Sequence, residues 1–147
     1  MSKAFENDNI INMGLTTKQR DKVFNKYNGR CAYSGTILGS DWEVDHLRPI
    51  IRNPVGGTIL PQNDNIENLM PAQKIINRYK AAFELETFRN WILGELHLRL
   101  KRLPKKPRTE KSIKHKNRLL EVARLFEIDY EEPFSGVFYF ERFINCA

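Results

Sequence analysis

Between Arg48 and Asn65 the chain runs for 18 residues that read as loop. Pro49, Asn53-Pro54, Gly56-Gly57, Pro61 and Asn63-Asp64-Asn65 follow one another too closely for either periodicity to develop. Proline fixes φ and removes a donor, and glycine and asparagine favour turns. A loop this long inside a compact domain is usually functional, so the segments on either side of it are where a scaffold must be sought.

Upstream, Thr16 and Gln19 have the spacing of a capping box and open a helix carrying Val23 and Phe24. Asn28-Gly29 stops that helix, because both residues tolerate the left-handed conformation. A short strand is expected at Arg30 to Tyr33, closed by Ser34-Gly35, and a second at Trp42 to Leu47 with rough alternation. Downstream, Pro71 stands where a helix could begin, and Gln73 to Phe83 reads as helical. Leu85, Phe88, Ile92, Leu96 and Leu100 recur at helical spacing and predict an amphipathic helix whose apolar stripe is core. Pro104 and Pro107 break it, Thr109 caps a last helix to about Phe126, and Val137 to Phe140 reads as a terminal strand. Residues 1 to 14 are polar and expected to be loosely ordered; there is no internal repeat and no low-complexity stretch.

A chain of 147 residues is expected to form one domain, 1–147, long enough to bury roughly 70% of its unfolded surface without disulfides. Its two cysteines, Cys31 and Cys146, exclude a disulfide scaffold and suit a reducing cytoplasm. No apolar run approaches the roughly 20 residues of a membrane span, and the first residues lack a signal-peptide core, so a cytoplasmic location is expected. Net charge is +6, but it is concentrated. Nine basic residues (Lys101, Arg102, Lys105, Lys106, Arg108, Lys111, Lys114, Lys116, Arg118) and one acid, Glu110, lie between 101 and 118. That window carries +8 and the rest of the chain −2. Such a segment points to a polyanion partner, though charge gives affinity and not identity.

Four pieces occur in order: Cys31-Ala32-Tyr33-Ser34-Gly35, then Val44-Asp45-His46, then Asn68-Leu69, then Asn77-Arg78-Tyr79-Lys80. Hydrolysis of a phosphodiester needs a base for water, a cation for charge developing on phosphate, and positioning of both. A histidine supplies the first, since imidazole has a reference pKa of about 6.5. The ordered set resembles the HNH nuclease family over residues 18 to 82, and the spacing of nine from Asn68 to Asn77, ending in Asn-x-x-Lys, is similar to the second half of that family's motif.

The resemblance implies an α+β fold: a ββα-metal core at 18–82, with an N-terminal helix and a basic helical C-terminal extension at 84–147 that ends in a strand. It implies that His46 is the general base, that Asp45 and Asn77 are metal ligands, and that Asn68 steadies the His-bearing strand through backbone hydrogen bonds. Oxygen ligands suit Mg²⁺ or Mn²⁺. Arg48, Arg78 and Lys80 are the expected phosphate contacts near the motif, joined by Lys101, Arg102, Lys105, Lys106 and Arg108 from the basic segment. Asp45 and His46 are adjacent on a strand and so face opposite ways. In the family a bent strand end reconciles the two.

Many members of the family carry two Cys-x-x-Cys knuckles around a structural zinc. Here the pairs would be Cys31 with Ser34 and Gln73 with Ile76, so no structural zinc is expected. The expected partner is double-stranded DNA, and the resemblance implies products with 5′-phosphate and 3′-hydroxyl ends; a restriction enzyme, a phage-borne nuclease and a toxin all fit these residues. The Arg48–Asn65 loop and the Phe134–Phe143 tail are where base readout or a homodimer contact would lie. The alternative is a catalytically silent HNH-fold module that binds nucleic acid without cutting it. His46 alone, or Asn68 as a helix cap, would also suit an ordinary structural role.

Overall fold

A computed structural model describes residues 14–50, 53–57 and 60–143 of the chain. The expectation for residues 1 to 14 lies almost wholly outside them.

The first helix, α1 (Thr17–Asn25), begins as its sequence dictates. Thr16 accepts from the Gln19 amide and the Gln19 side chain reaches back to Thr16, satisfying donors the helix leaves free. It ends where Asn28 and Gly29 take φ of 54° and 76°. A side chain at Gly29 would meet the Phe24 ring, with a Cβ at 2.9 Å.

Strand β1 (Glu43–His46) pairs antiparallel with β2 (Leu69–Ala72) in the register Glu43 to Ala72, Val44 to Pro71, Asp45 to Met70 and His46 to Leu69. Helix α2 (Lys74–Lys80) follows at once. The two faces of this small sheet go to different places. Met70 and Ala72 join the main core, whereas Val44 and Leu69 pack with Val23, Ile66 and Trp42 beneath α1. All four residues of β2 are buried, so its sequence has no polar alternation to betray a strand. Pro71 turns its carbonyl away from β1 to the Ala32 amide at 2.8 Å, so the missing N–H takes nothing from the ladder.

The amphipathic run after α2 is interrupted. Helix α3 (Leu85–Thr87) passes into a π-helical turn over Phe88–Leu93, and α4 (Leu96–Arg102) starts afresh. The wider turn shifts the phase, so Leu93 rather than Ile92 is wholly buried between Phe88 and Leu96. Arg99 donates to the carbonyls of Trp91 and Ile92 at the end of this turn. Gly94 permits the turn, because a Cβ there would lie 2.3 Å from the Asn90 carbonyl oxygen.

Helix α5 (Glu110–Leu125), capped by Thr109, turns Leu119, Val122, Ala123 and Leu125 inward. They meet Phe126 and Ile128, the α4 leucines, and an aromatic cluster of Tyr33, Phe88, Phe138 and Phe140. The chain is thus α+β, helices around a two-stranded antiparallel sheet. No helix among the described residues is long and apolar enough to cross a membrane.

Two expected strands take other forms. Arg30 to Tyr33 forms a single bridge, Arg30 with Ile37, and then a turn. The terminal strand is replaced by a 3₁₀ turn over Tyr139–Phe143. Tyr139 and Phe140 donate in succession to Tyr33 and Ala32, whereas a strand offers only alternate amides to one neighbour.

Arg89 ties this tail down. It makes two hydrogen bonds to Glu141, at 2.6 and 2.7 Å, another to the Gly136 carbonyl, and lies over the Phe138 ring. That hydrogen bonding holds the Glu141 carboxyl below the usual carboxylate range. The Glu141→Gln protein is expected to lose about 1–2 kcal/mol at neutral pH. A depressed carboxyl stabilises the fold above its unfolded pKa and stops doing so as pH falls through its folded one, so the deficit should shrink in acid. Denaturant titrations of both proteins at neutral and acid pH check it.

Candidate active site

Strand β1 and helix α2 lie side by side, joined by two rungs of polar contact. At the first, Asn77 Nδ2 donates to Glu43 Oε2 at 2.7 Å and Arg78 Nη2 donates to Glu43 Oε1 at 3.2 Å. One pleat further on, Asp45 Oδ2 receives the Tyr33 hydroxyl at 2.5 Å and the Lys80 ammonium at 3.0 Å. Glu43 and Asp45 share this face because they are two apart on a strand; Asn77 and Lys80 share theirs because they are three apart on a helix.

The second rung is inside the protein. Tyr33 is held edge-on by Phe88, Phe138 and Phe140, and Lys80 is wholly buried. Burial pushes the Asp45 carboxyl up, against the opposing pull of Lys80 and of the Tyr33 hydrogen bond. Burial and then the Asp45 charge push the Tyr33 hydroxyl well up. Lys80 also donates to the His46 carbonyl at 3.0 Å, so one ammonium fixes both backbone and side chain at the end of β1.

His46 faces the other way, as its place in the strand requires. Its Nε2 lies 2.8 Å from Asp64 Oδ1; the His46 side chain keeps 22% of its surface exposed and that of Asp64 only 3%. Among the described residues no hydrogen bond joins the His46 ring to Asp45 or Asn77.

Asp64 is brought there by a stapled loop. Asn63 donates to the Pro49 carbonyl at 3.0 Å. Asn68 accepts from the Arg48 amide at 2.9 Å and donates to the carbonyls of Arg48 and Asn63 at 2.8 and 2.6 Å. Asn68 therefore grips both backbone groups of the residue two beyond His46; the N-cap position of α2 is Gln73, whose side chain makes no capping hydrogen bond. Asn68→Ala would leave these part-buried backbone groups without their side-chain partner, and the expected cost is about 1–3 kcal/mol by thermal or denaturant unfolding.

The expected site residues thus separate into groups. Asp45 is joined to Lys80, Asn77 to Glu43 beside Arg78, and His46 to Asp64 above the Asn68 staple. Lys80 requires a correction: a fully buried ammonium paired with a carboxylate is not placed to meet a phosphate. Arg48 is exposed and lines a cleft with Pro49, Leu60, Asn63 and Glu84. Lys101, Arg102, Lys105, Lys106 and Arg108 are all exposed around the α4–α5 turn. That turn is held by Lys116, which donates to the carbonyls of Pro104 and Lys105. From the same segment, Arg118 reaches the Arg78 carbonyl at 3.3 Å and lies over Tyr79, joining the basic helix to α2.

Three members of these groups were not anticipated from sequence: Tyr33, Glu43 and Asp64. The period of two places Glu43 beside Asp45, so that one was within reach. Asp64 sits in an Asn-Asp-Asn turn that reads only as punctuation. Among the described residues no group of three histidine, cysteine, aspartate or glutamate side chains could hold a metal ion, and Cys31 is buried in the core. Comparison of the chain with protein-family models, with curated proteins and with solved structures finds no match.

Proposed function

We propose that the chain is a divalent-metal-dependent endonuclease of the HNH type that hydrolyses DNA. The observation that supports this most directly is the order of elements: Asp45-His46 ends β1, a long loop follows, and β2 leads straight into the helix bearing Asn77. Asn68, bonded to the Arg48 backbone, stands where the resemblance expects a residue that steadies the histidine.

In this reading His46 takes a proton from water, the water oxygen forms a bond to phosphorus, and the bond to the leaving sugar oxygen breaks. Asp45 and Asn77 would hold the metal ion. Their chemistry fits a hard cation. Both bonds to Asp45 fall on Oδ2, and the bond from Asn77 to Glu43 is made by its nitrogen, so each keeps an oxygen outside these contacts. Tyr33 and Lys80 are then the outer partners that orient the carboxylate. When bound, Mg²⁺ or Mn²⁺ supplies positive charge at the phosphate oxygens. Arg78, Arg118 and the exposed lysines and arginines from 101 to 108 form the surface on which duplex phosphates would rest.

One observation favours the rival, a silent nucleic-acid-binding module: the Asp45 charge is already matched by Lys80 inside the protein. Plasmid cleavage decides between them. Purified protein with Mg²⁺ or Mn²⁺ is expected to nick or linearise DNA, and EDTA is expected to stop it. Salt-sensitive gel shifts with no cleavage in either metal would overturn the enzyme reading and leave the binding module.

A further inference from the structure

We infer that Asp64 is a positioning residue for His46: its carboxylate holds the Nε2–H tautomer, so that Nδ1 is the atom that accepts the proton. The inference rests on the hydrolytic reading of His46 and specifies how that residue is set up. It stands on three features of the geometry.

First, the contact is on one nitrogen only. Nε2 lies 2.8 Å from Asp64 Oδ1, and among the described residues no hydrogen bond within the protein takes Nδ1. A carboxylate accepts and does not donate, so the shared proton belongs on Nε2 and the lone pair is left on Nδ1.

Second, the acid is built in rather than incidental. An exposed carboxylate beside a histidine would be a loose surface pair worth little. Asp64 keeps only 3% of its side chain exposed and sits in a turn closed by its own amide on the Pro61 carbonyl at 3.0 Å. The residues on either side of that turn are pinned by Asn63 to Pro49 and by Asn68 to Arg48 and Asn63. Asn65 adds a bond to Gln62 and accepts from the Asn68 amide.

Third, the backbone that carries the ring is held from the other side. The Lys80 ammonium, itself paired with Asp45, takes the His46 carbonyl, so the main chain at His46 cannot turn away from Asp64 without breaking that contact.

The chemistry balances simply. Water gives its proton to Nδ1, the water oxygen keeps the electron pair and forms the bond to phosphorus, and the imidazole becomes an imidazolium whose Nε2–H still points at the carboxylate. The negative charge of Asp64 is in place before that positive charge develops, which is the arrangement that lets a histidine work as a base.

The test is Asp64→Asn, a change of charge and donor pattern at nearly constant shape. Nitrogen-15 spectra of the three histidines, with His46 assigned by its absence from His46→Gln, report the tautomer directly. Wild type is expected to show Nε2–H with a slowly exchanging downfield proton. In Asp64→Asn the amide can donate to Nε2, and the population is expected to move to Nδ1–H. In the cleavage assay kcat is expected to fall on the order of 10²–10⁴-fold with KM changed by less than about threefold. A wild-type Nδ1–H tautomer, or an Asp64→Asn tautomer unchanged from wild type, overturns the inference even if cleavage is impaired. Absence of cleavage by wild type overturns the nuclease reading separately, because the spectra read the pair with or without turnover. Should Asp64→Asn not fold, the wild-type tautomer alone decides.

Discussion

The Lys80→Met protein is expected to be less stable than wild type by about 3–5 kcal/mol, the usual cost of stranding one member of a buried ion pair. Domains of this size have only about 5–15 kcal/mol to lose, so the variant should unfold early in denaturant. Met matches the aliphatic stem of lysine, so the loss is of charge and hydrogen bonds rather than volume. Two groups lose their ammonium at once, Asp45 Oδ2 and the His46 carbonyl, and the Tyr33 hydroxyl is left as the one remaining hydrogen-bond donor to that carboxylate oxygen among the described residues. The pH dependence has a definite sign. Burial already holds the Asp45 carboxyl above its usual range, and Lys80 is the largest influence pulling it down. Without Lys80 the native state should bind that proton more readily than the unfolded chain, and such a group stabilises the fold as pH falls. The deficit of Lys80→Met should therefore be larger in mild alkali than in mild acid. A deficit below about 1 kcal/mol, or one that grows in acid, would show that the buried pair is not what holds β1 to α2.

The second large effect concerns His46. Removing its imidazole should reduce cleavage on the order of 10²–10⁴-fold, the range for loss of a general base. The choice of substitution matters. His46→Ala leaves the buried Asp64 carboxylate with no partner at Nε2 and should also cost about 1–3 kcal/mol in stability. His46→Gln keeps an N–H that can reach Asp64 while supplying no proton acceptor of comparable basicity. The expected result is two proteins equally inactive on plasmid DNA but separated in melting temperature. Equal activity of wild type and both variants would remove His46 from the reaction.

How far these features could be read from sequence differs with the kind of interaction that makes them. The caps at Thr16 and Thr109 and the Asn28-Gly29 stop act within a few residues, and their signals stand in the chain as local spacing. Strand β1 announced itself by alternation, whereas β2 did not, since a strand buried on both faces and carrying Pro71 looks like the start of a helix. The heptad-like run from Leu85 to Leu100 concealed the π-helical turn, because that turn depends on Gly94 and on Arg99, two turns away. At the candidate site, the resemblance pointed to Asp45, His46, Asn68 and Asn77. It could not say that Lys80 would turn inward, because a long side chain at the end of a helix reads as solvated until its partner across the sheet is known. Asp64 was hidden for a related reason. Only the Asn63 and Asn68 staples decide that this turn residue meets a histidine 18 positions upstream.

Those staples divide the connection between β1 and β2 into two parts with different freedom. Leu60 donates to the Ile50 carbonyl and Asn63 to that of Pro49, closing a neck at the base of the loop. Below the neck, Asn63, Asp64 and Asn68 tie the loop to His46 and the residues just after it. Above it, Asn53 and Gly57 close their own small turn, with Pro54, Val55 and Gly56 at an exposed tip. A closed neck makes the tip a cassette. Lengthening a loop costs little entropy, roughly 0.6 kcal/mol per doubling, and exposed tips accept insertions readily. New sequence could be exchanged there, to change what the protein touches, without moving the atoms beneath.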